Sequence, residues 1–405
     1  MNSTHASTPE TDAAITVTVV GREALAGLRA EWNELCERME YATPFATWEW
    51  AEGWLQVIGR DAKVLIAVAR RNGRAVGILP LARAGSNAWS PVLTMLGVDR
   101  LYPDHIALLA AGETTHELLA ALLRAALTAA GSRARIDLPM VAADSGMDRA
   151  CAAAGLPARA RAAGIAPYLP IRGSFEEFLK GLSSNERYKI RNRTKKMLAV
   201  PGVRFGAVAE NEVPAVLIRL RELHAMRATQ KGIESSFDRD DVQQFHARLV
   251  AALPGASLAF RCLWSGDEIF AVFYGFTLQG RLFYFQLGYD PAWSDRSPGI
   301  VLLSEVIRDA HERGYTEFNF LQGDEPFKWT WTKQSRTLNN WNFYSPGVGG
   351  RLRKTSETAI EGLKAIIKGL LLRIRRRKSA PSGAQASSRG SGVAQPADGV
   401  PPQTH

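Results

Sequence analysis

The stretch "SPGIVLLSEVIRDAHERGYTEFNFLQGDEPFKWTW", residues 297–331, holds the features on which the fold turns. Up to Gly314 it reads as a helix. Ser297 is a good N-cap, Pro298 suits a first helical position whose N–H is not needed, and Gly314 closes the end. "TEFNFL", residues 316–321, then reads as a buried strand. A core strand normally ends in a cheap polar turn. This one runs into two acids, a proline, an aromatic residue, a lysine and two tryptophans.

Working outward, "SLAFRCLWSGDEIFAVFYGFTLQGRLFYFQLGY", residues 257–289, is a strand, a Ser-Gly turn, a strand, a Gln-Gly turn and a strand. The first half says much the same. "KVLIAVARRNGRAVGILPLA" (63–82) is two strands about an Asn-Gly turn, and a second, less clear strand pair lies around "NAWSPVLTMLG" (87–97). The helix "HELLAALLRAALTAAG" closes at Gly131, and the strand "RARIDLPMV" follows. Two meanders, each feeding a helix and a final strand, predict a mixed α/β tandem, each half a mostly antiparallel sheet flanked by helices. Helical stretches over 175–200 and 212–232 precede the second meander. The expected divisions are a disordered start (1–14), a first domain (15–165), a second, catalytic domain (166–345), a basic amphipathic helix (346–378) and a disordered tail (379–405).

A chain of 405 residues is too long for one ordinary core, and 46% hydrophobic with 22% charged residues is a soluble globular composition. Cys36, Cys151 and Cys262 lie far apart in apolar company, so buried reduced thiols are expected. No His/Cys/Asp spacing suggests a metal, and His105 and His311 read as structural. The start lacks a signal-peptide pattern and no run is long enough to span a bilayer, so a cytoplasmic protein is expected. Of the net charge of +10, residues 351–378 carry +8, leaving a near-neutral body. That argues against nucleic acid as a partner.

The order of meander, helix and strand resembles the acyl-CoA N-acyltransferase (GNAT) fold. "LSSNERYKIRNRTKKM", the run from Tyr284 to Trp331, and "GRAVGILPL" together resemble the CelD-type acetyltransferases of bacterial exopolysaccharide (cellulose) loci. These are relatives of the FemAB peptidyltransferases, which also use two GNAT-like halves. The resemblance implies acetyl-CoA as co-substrate and a saccharide-type acceptor. One departure stands out. In place of the family's glycine-rich pyrophosphate loop, "DRSPGI" has one glycine and puts Pro298 where an N–H would donate.

Three motifs carry the expected chemistry. Ser297, Gly299 and Ile300 open a helix whose free amides form an anion site for the donor. "QGDEPFKWTW" lies at the strand's end, where the resemblance puts the mouth of the site. There Asp324, with Glu325 beside it, is placed to take a proton from an attacking ammonium, and Lys328 to meet a phosphate, carboxylate or oxyanion. The third motif is a basic helix. Ser183 and Glu186 form a capping box, and Arg187, Arg191 and Lys195 recur every four residues without acids between them. Arg187 and Arg191 are expected to contact substrate or donor, as is Tyr289; Tyr284 and Tyr289 could protonate a leaving thiolate. Two other readings stay open: a FemAB-like transferase using aminoacyl-tRNA, and a non-catalytic module binding saccharide or a membrane synthase.

In "AIEGLKAIIKGLLLRIRRRK", Ile360, Leu363, Ile367, Leu370, Leu371 and Ile374 fall at helical spacing beside Lys364, Lys368 and Arg375. This is the composition of a peripheral anchor for an anionic membrane surface through 351–378. The same pattern also fits a helix docked on the protein's own core.

Overall fold

The computed structural model describes residues 14–378 apart from 102, 104, 105, 107, 111–114, 233–236 and 238. The two termini expected to be disordered, Ala14 excepted, and His105 lie outside these residues. In chain order the first half is β1 (Thr16–Val20), α1 (Arg29–Arg38), α2 (Trp48–Val57), β2 (Val64–Arg71), β3 (Arg74–Ala84), β4 (Val92–Met95), β5 (Leu109–Ala110), α3 (Thr115–Ala130), β6 (Arg135–Ala142), α4 (Met147–Ala154) and β7 (Ala158–Pro170). The second half is α5 (Phe175–Gly181), α6 (Ser184–Leu198), β8 (Val203–Ala207), α7 (Val213–Lys231), α8 (Asp240–Ala252), β9 (Leu258–Ser265), β10 (Glu268–Leu278), β11 (Arg281–Tyr289), α9 (Pro298–Glu312), β12 (Glu317–Asn319) and β13 (Ser335–Tyr344), and α10 (Val348–Lys378) follows.

The expected mixed α/β tandem is what forms. Setting aside the two-residue β5, which pairs with β3 off the main path, in each half four antiparallel strands lead to a helix, and a fifth strand then pairs parallel to the fourth: β6 beside β4, and β12 beside β11. The hairpin turns use the anticipated residues. Asn72 and Gly73, and Gln279 and Gly280, adopt positive φ, as a two-residue turn matched to strand twist requires. The less clear strand pair is corrected: around 87–97 only β4 forms.

The sixth strands are exchanged. β7, from the first half, pairs with β12; β13, from the second, inserts between β6 and β7. One sheet therefore runs through both halves, in the order β1-β2-β3-β4-β6-β13-β7-β12-β11-β10-β9-β8. The expected division at 165/166 falls within β7.

A buried polar cluster pins the junction. Arg336 of β13 forks onto Glu317 of β12 at 3.0 and 2.6 Å, and Tyr41 donates to the same carboxylate at 2.7 Å. Asn319 donates to the Tyr41 hydroxyl at 2.7 Å. The Arg336 guanidinium lies 3.7 Å over the Tyr168 ring of β7. Buried charge persists only when paired and hydrogen-bonded, as here.

Apolar residues of α9 at Val301, Leu302, Leu303, Val306, Ile307 and Ala310 form its buried stripe. They pack with Phe318 and Phe320 in one core, while α7, α8, α1 and α2 cover the opposite face of the sheet. Arg261 of β9 ties down the far end of α9 through Asp309, at 2.7 and 2.9 Å. Cys36 and Cys262 are buried free thiols, with burial pushing Cys36 up to about 12; Cys151 is only half-buried. His311 sits against Phe175 and Phe178, its Nδ1 3.0 Å from the Gly173 carbonyl oxygen.

Candidate functional site

The parallel pairing of β11 with β12 covers only Arg281–Glu317, Leu282–Phe318 and Phe283–Asn319. Beyond it the strands part. The amides of Phe320 and Gly323 bond the carbonyls of Pro167 and Ile165, so this chain follows β7 and leaves β11 behind. On β11 the separation coincides with a bulge: Tyr274 faces Gln286 and Gly275 faces Tyr284, making Phe285 the extra residue. A bulge bends its strand and leaves backbone groups outside the ladder. From Tyr284 to Tyr289, β11 thus presents backbone without a neighbouring strand toward the gap, and α9 starts just beyond its end.

The acid–acid–Pro–aromatic run answers to this gap, because the loop turns back toward β11. Phe327 brings its ring centroid to 6.2 Å from that of Tyr284. Burial raises the Tyr284 hydroxyl well above its ordinary range; Arg227 opposes this and Glu325 adds to it. Tyr284 is therefore a neutral phenol at the parting of the strands, near both charges.

Asp324 and Lys328 do not face the same space. Asp324 is exposed, and its Oδ1 accepts from the indole of Trp329 at 2.6 Å. Lys328, expected to meet substrate, is instead fully buried. Its Nζ lies 2.9 Å from Glu325 Oε2, in an ion pair not aligned as a hydrogen bond, and 2.5 Å from the Gln322 carbonyl oxygen. The lysine shapes the loop from beneath. Gln322 in turn packs against Gly164 at the bend of β7, where a Cβ would come within 2.9 Å of its Nε2.

The helix opening also differs from expectation. Ser297 has φ 54° and its side chain caps nothing, because the preceding tight turn takes its N–H onto Ser294. Its carbonyl accepts from Ile300 at 3.1 Å and Val301 at 3.2 Å, so the Ile300 amide is occupied. Only Gly299 keeps an amide without a bond to another described residue in this first turn. A Cβ on Gly299 would lie 3.5 Å from the Tyr289 ring, which places Tyr289 against the helix start. Arg227 of α7 reaches the same ring, 5.3 Å from its centroid.

The arginine stripe on α6 is not unpaired. Arg191 forms an ion pair with Glu176 of α5, and Arg187 donates to the Lys180 carbonyl at 3.1 Å. Glu176 lies outside the helix, so inspection of α6 alone could not find it. The capping box of Ser183 and Glu186 forms as read, with Oγ to Oε2 at 2.7 Å. α6 packs beside α9.

Arg227 escaped the sequence reading because nothing local marks it. A groove of about 620 Å³ beside β3, β4, β6 and the inserted β13 escaped it too; Trp54, Arg83, Asp137, Arg161, Trp341 and Asn342 are among its lining. Buried Nε and Nη2 of Arg83 and Nε1 of Trp341 have no hydrogen-bond partner among the described residues. No cluster of metal-ligating side chains occurs among the described residues.

Residues 184–329 match the family model of the acetyltransferase (GNAT) domain. No curated protein matches the sequence. Among solved structures, FemX superposes with a TM-score of 0.59 at 13% identity, over 77% of this chain and 95% of that one. A conserved protein of unknown function from Bacteroides thetaiotaomicron gives 0.56 at 11% identity, over 80% and 99% of the two chains. The C-terminal domain of a protein assigned as a lysylphosphatidylglycerol synthetase, from Agrobacterium fabrum, gives 0.51 at 12%, over 85% and 96%. At these identities the likeness is one of fold. Residues 184–329 thus form a GNAT-type domain, built into a sheet that continues through the first half of the chain.

Proposed function

We propose that this chain is an acyltransferase that moves an acyl group, acetyl from acetyl-CoA, onto an amine or hydroxyl of a cell-envelope or exopolysaccharide precursor, as the CelD resemblance implies. The observation that carries the reading is the parting of β11 from β12 at a bulge, directly before a helix start. An acyl arm lying in this gap would meet unpaired backbone groups of β11, and such fixed dipoles stabilise a developing oxyanion. The acceptor amine attacks the thioester carbonyl; a C–N bond forms and the C–S bond breaks. Asp324, directly or through water, takes the amine proton, and the thiolate is protonated by the neutral Tyr284 phenol. The Gly299 amide, with Arg227 and Tyr289 beside it, is assigned to the donor's phosphates, and Arg187 and Arg191 line the approach. The groove with its orphaned Arg83 and Trp341 donors is assigned to the polar acceptor.

A second reading is favoured by one observation. With Ile300 occupied and Pro298 lacking an N–H, the anion cradle is thin, which suits an aminoacyl ester carried by tRNA, a donor that does not need a pyrophosphate seat at α9. The FemX-like fold is compatible with it. Thermal shift with acetyl-CoA, followed by transfer of labelled acetyl to amino-sugar acceptors, decides between them. Acetyl-CoA should raise the melting temperature. No shift, together with transfer from aminoacyl-tRNA, would replace the first reading by the second.

A further inference from the structure

α10 meets the body through polar side chains and leaves its apolar ones bare. Arg353, Glu357 and Glu361, spaced four apart, point inward. Arg353 donates to the Pro91 carbonyl at 3.0 Å; Glu357 pairs with Arg135 at 2.6 Å and accepts from Tyr344 at 2.9 Å; Glu361 pairs with Arg159 at 2.6 Å and Arg161 at 2.9 Å. All of this docking is polar. The apolar residues flank these contacts or lie beyond them along the helix, and they remain open to solvent: Ile360 is 52% exposed, Leu363 58%, Ile366 62%, Ile367 48% and Leu371 56%. A helix that docked on its own core would bury these side chains and expose the charged ones. After Glu361 the helix continues for 17 residues, about 25 Å at the usual rise per residue.

We infer that the distal part of α10 lies on an anionic lipid surface, apolar face inserted among the acyl chains and cations at the headgroups. The occupant follows from charge. Residues 351–378 carry ten Lys/Arg against two Glu, and both acids are already committed to the body. A second copy would bring the same positive charge against this segment, whereas an anionic bilayer offers both counter-charge and apolar depth. No helix among the described residues is long and apolar enough to cross a membrane, so the attachment is to one leaflet. The polar docking fixes the helix against β6, β7 and β13, so the body is held at a set orientation over the surface.

The test uses the full chain and reads no activity, so its outcome is separate from that of the acyl-transfer reading. Vesicles of equal parts phosphatidylglycerol and phosphatidylcholine should pellet most of the protein, and pure phosphatidylcholine vesicles little. Binding should weaken steeply as salt is raised, because surface attraction is screened within a Debye length. The variant Leu363→Gln/Ile366→Gln/Ile367→Gln/Leu371→Gln changes only exposed side chains and should lose most of the pelleted fraction with its melting temperature unchanged. Lys364→Gln/Lys368→Gln should lose part of it. Equal pelleting of wild type and the four-residue variant overturns the inference. So does failure of wild type to bind anionic vesicles, or an oligomer in solution that the four-residue variant dissolves.

Discussion

Lys328, with no exposed surface, holds its ammonium 2.9 Å from the carboxylate of Glu325, three residues before it. The two residues are unequal in environment, since the Glu325 side chain keeps some contact with solvent. Removing the acid leaves a charge deep in the protein, and breaking a buried pair in this way costs about 3–5 kcal/mol. Glu325→Leu should therefore shift the denaturant midpoint more than Lys328→Met, whose surviving carboxylate can turn to water. The double variant should recover part of the loss. Equal small effects for both single variants would mean that the ammonium is compensated elsewhere.

Asp324→Asn should lower turnover far more than donor affinity. A general base contributes typically ~10²–10⁴-fold, and Asp324 holds no part of the donor. Trp329→Phe removes the indole donor that aims the carboxylate, so it should produce a smaller loss in kcat with little change in KM. If Asp324→Asn keeps most of its kcat, the proton goes to Glu325 or solvent.

Gly299 has room for a methyl group, because a Cβ would stand at ordinary contact distance from Tyr289. Gly299→Ala should therefore bind donor nearly as well as wild type. Gly299→Glu places a carboxylate where the donor's phosphates are expected and favours the helix start electrostatically. Calorimetry should find acetyl-CoA binding lost in a well-folded protein. Arg227→Ala should weaken binding too, by removing the cation near that turn. Unchanged binding in both Gly299→Glu and Arg227→Ala would remove the donor from α9.

Two histidines behind β11 set a pH dependence. Burial pushes His246 down to about 3, and burial with the nearby Arg227 pushes His224 down to about 4. His224 is half-buried, and its Nε2 is enclosed without a hydrogen-bond partner among the described residues. Both are neutral in the fold and protonate near 6.5 when unfolded, so the unfolded chain binds more protons below that pH. Stability should be fully present above about 6.5 and fall as pH drops toward 4, by up to about 1.4 kcal/mol per pH unit for each group. Melting temperatures between pH 7 and 5 test this. His246→Phe should flatten the profile, and a profile already flat in wild type would contradict the assignment.

Local chemistry alone determined much of this protein. The hairpin turns at Asn72-Gly73 and Gln279-Gly280, the helix from Pro298 to its end before Gly314, the capping box of Ser183 and Glu186, and the long basic helix all depend on residues within a few positions of one another. Their backbone preferences and hydrogen bonds are nearly independent of the rest of the chain. Asn319 places an amide in the middle of an apolar strand. Its partner Tyr41 lies 278 residues away and could not be read.

Tertiary structure decided whatever depends on distant charge and on strand order. Lys328 looked like a site cation because lysines are rarely buried; the fold buries it by supplying Glu325 and the Gln322 carbonyl. Arg191 looked unpaired because its partner sits on α5. Ser297 looked like a helix cap until the tight turn before it forced a left-handed backbone. The exchange of β7 and β13 left no mark in either strand, since a strand's alternation specifies which face it buries and not which neighbour it takes. The neighbours are chosen by the whole sheet, and they set the gap between β11 and β12.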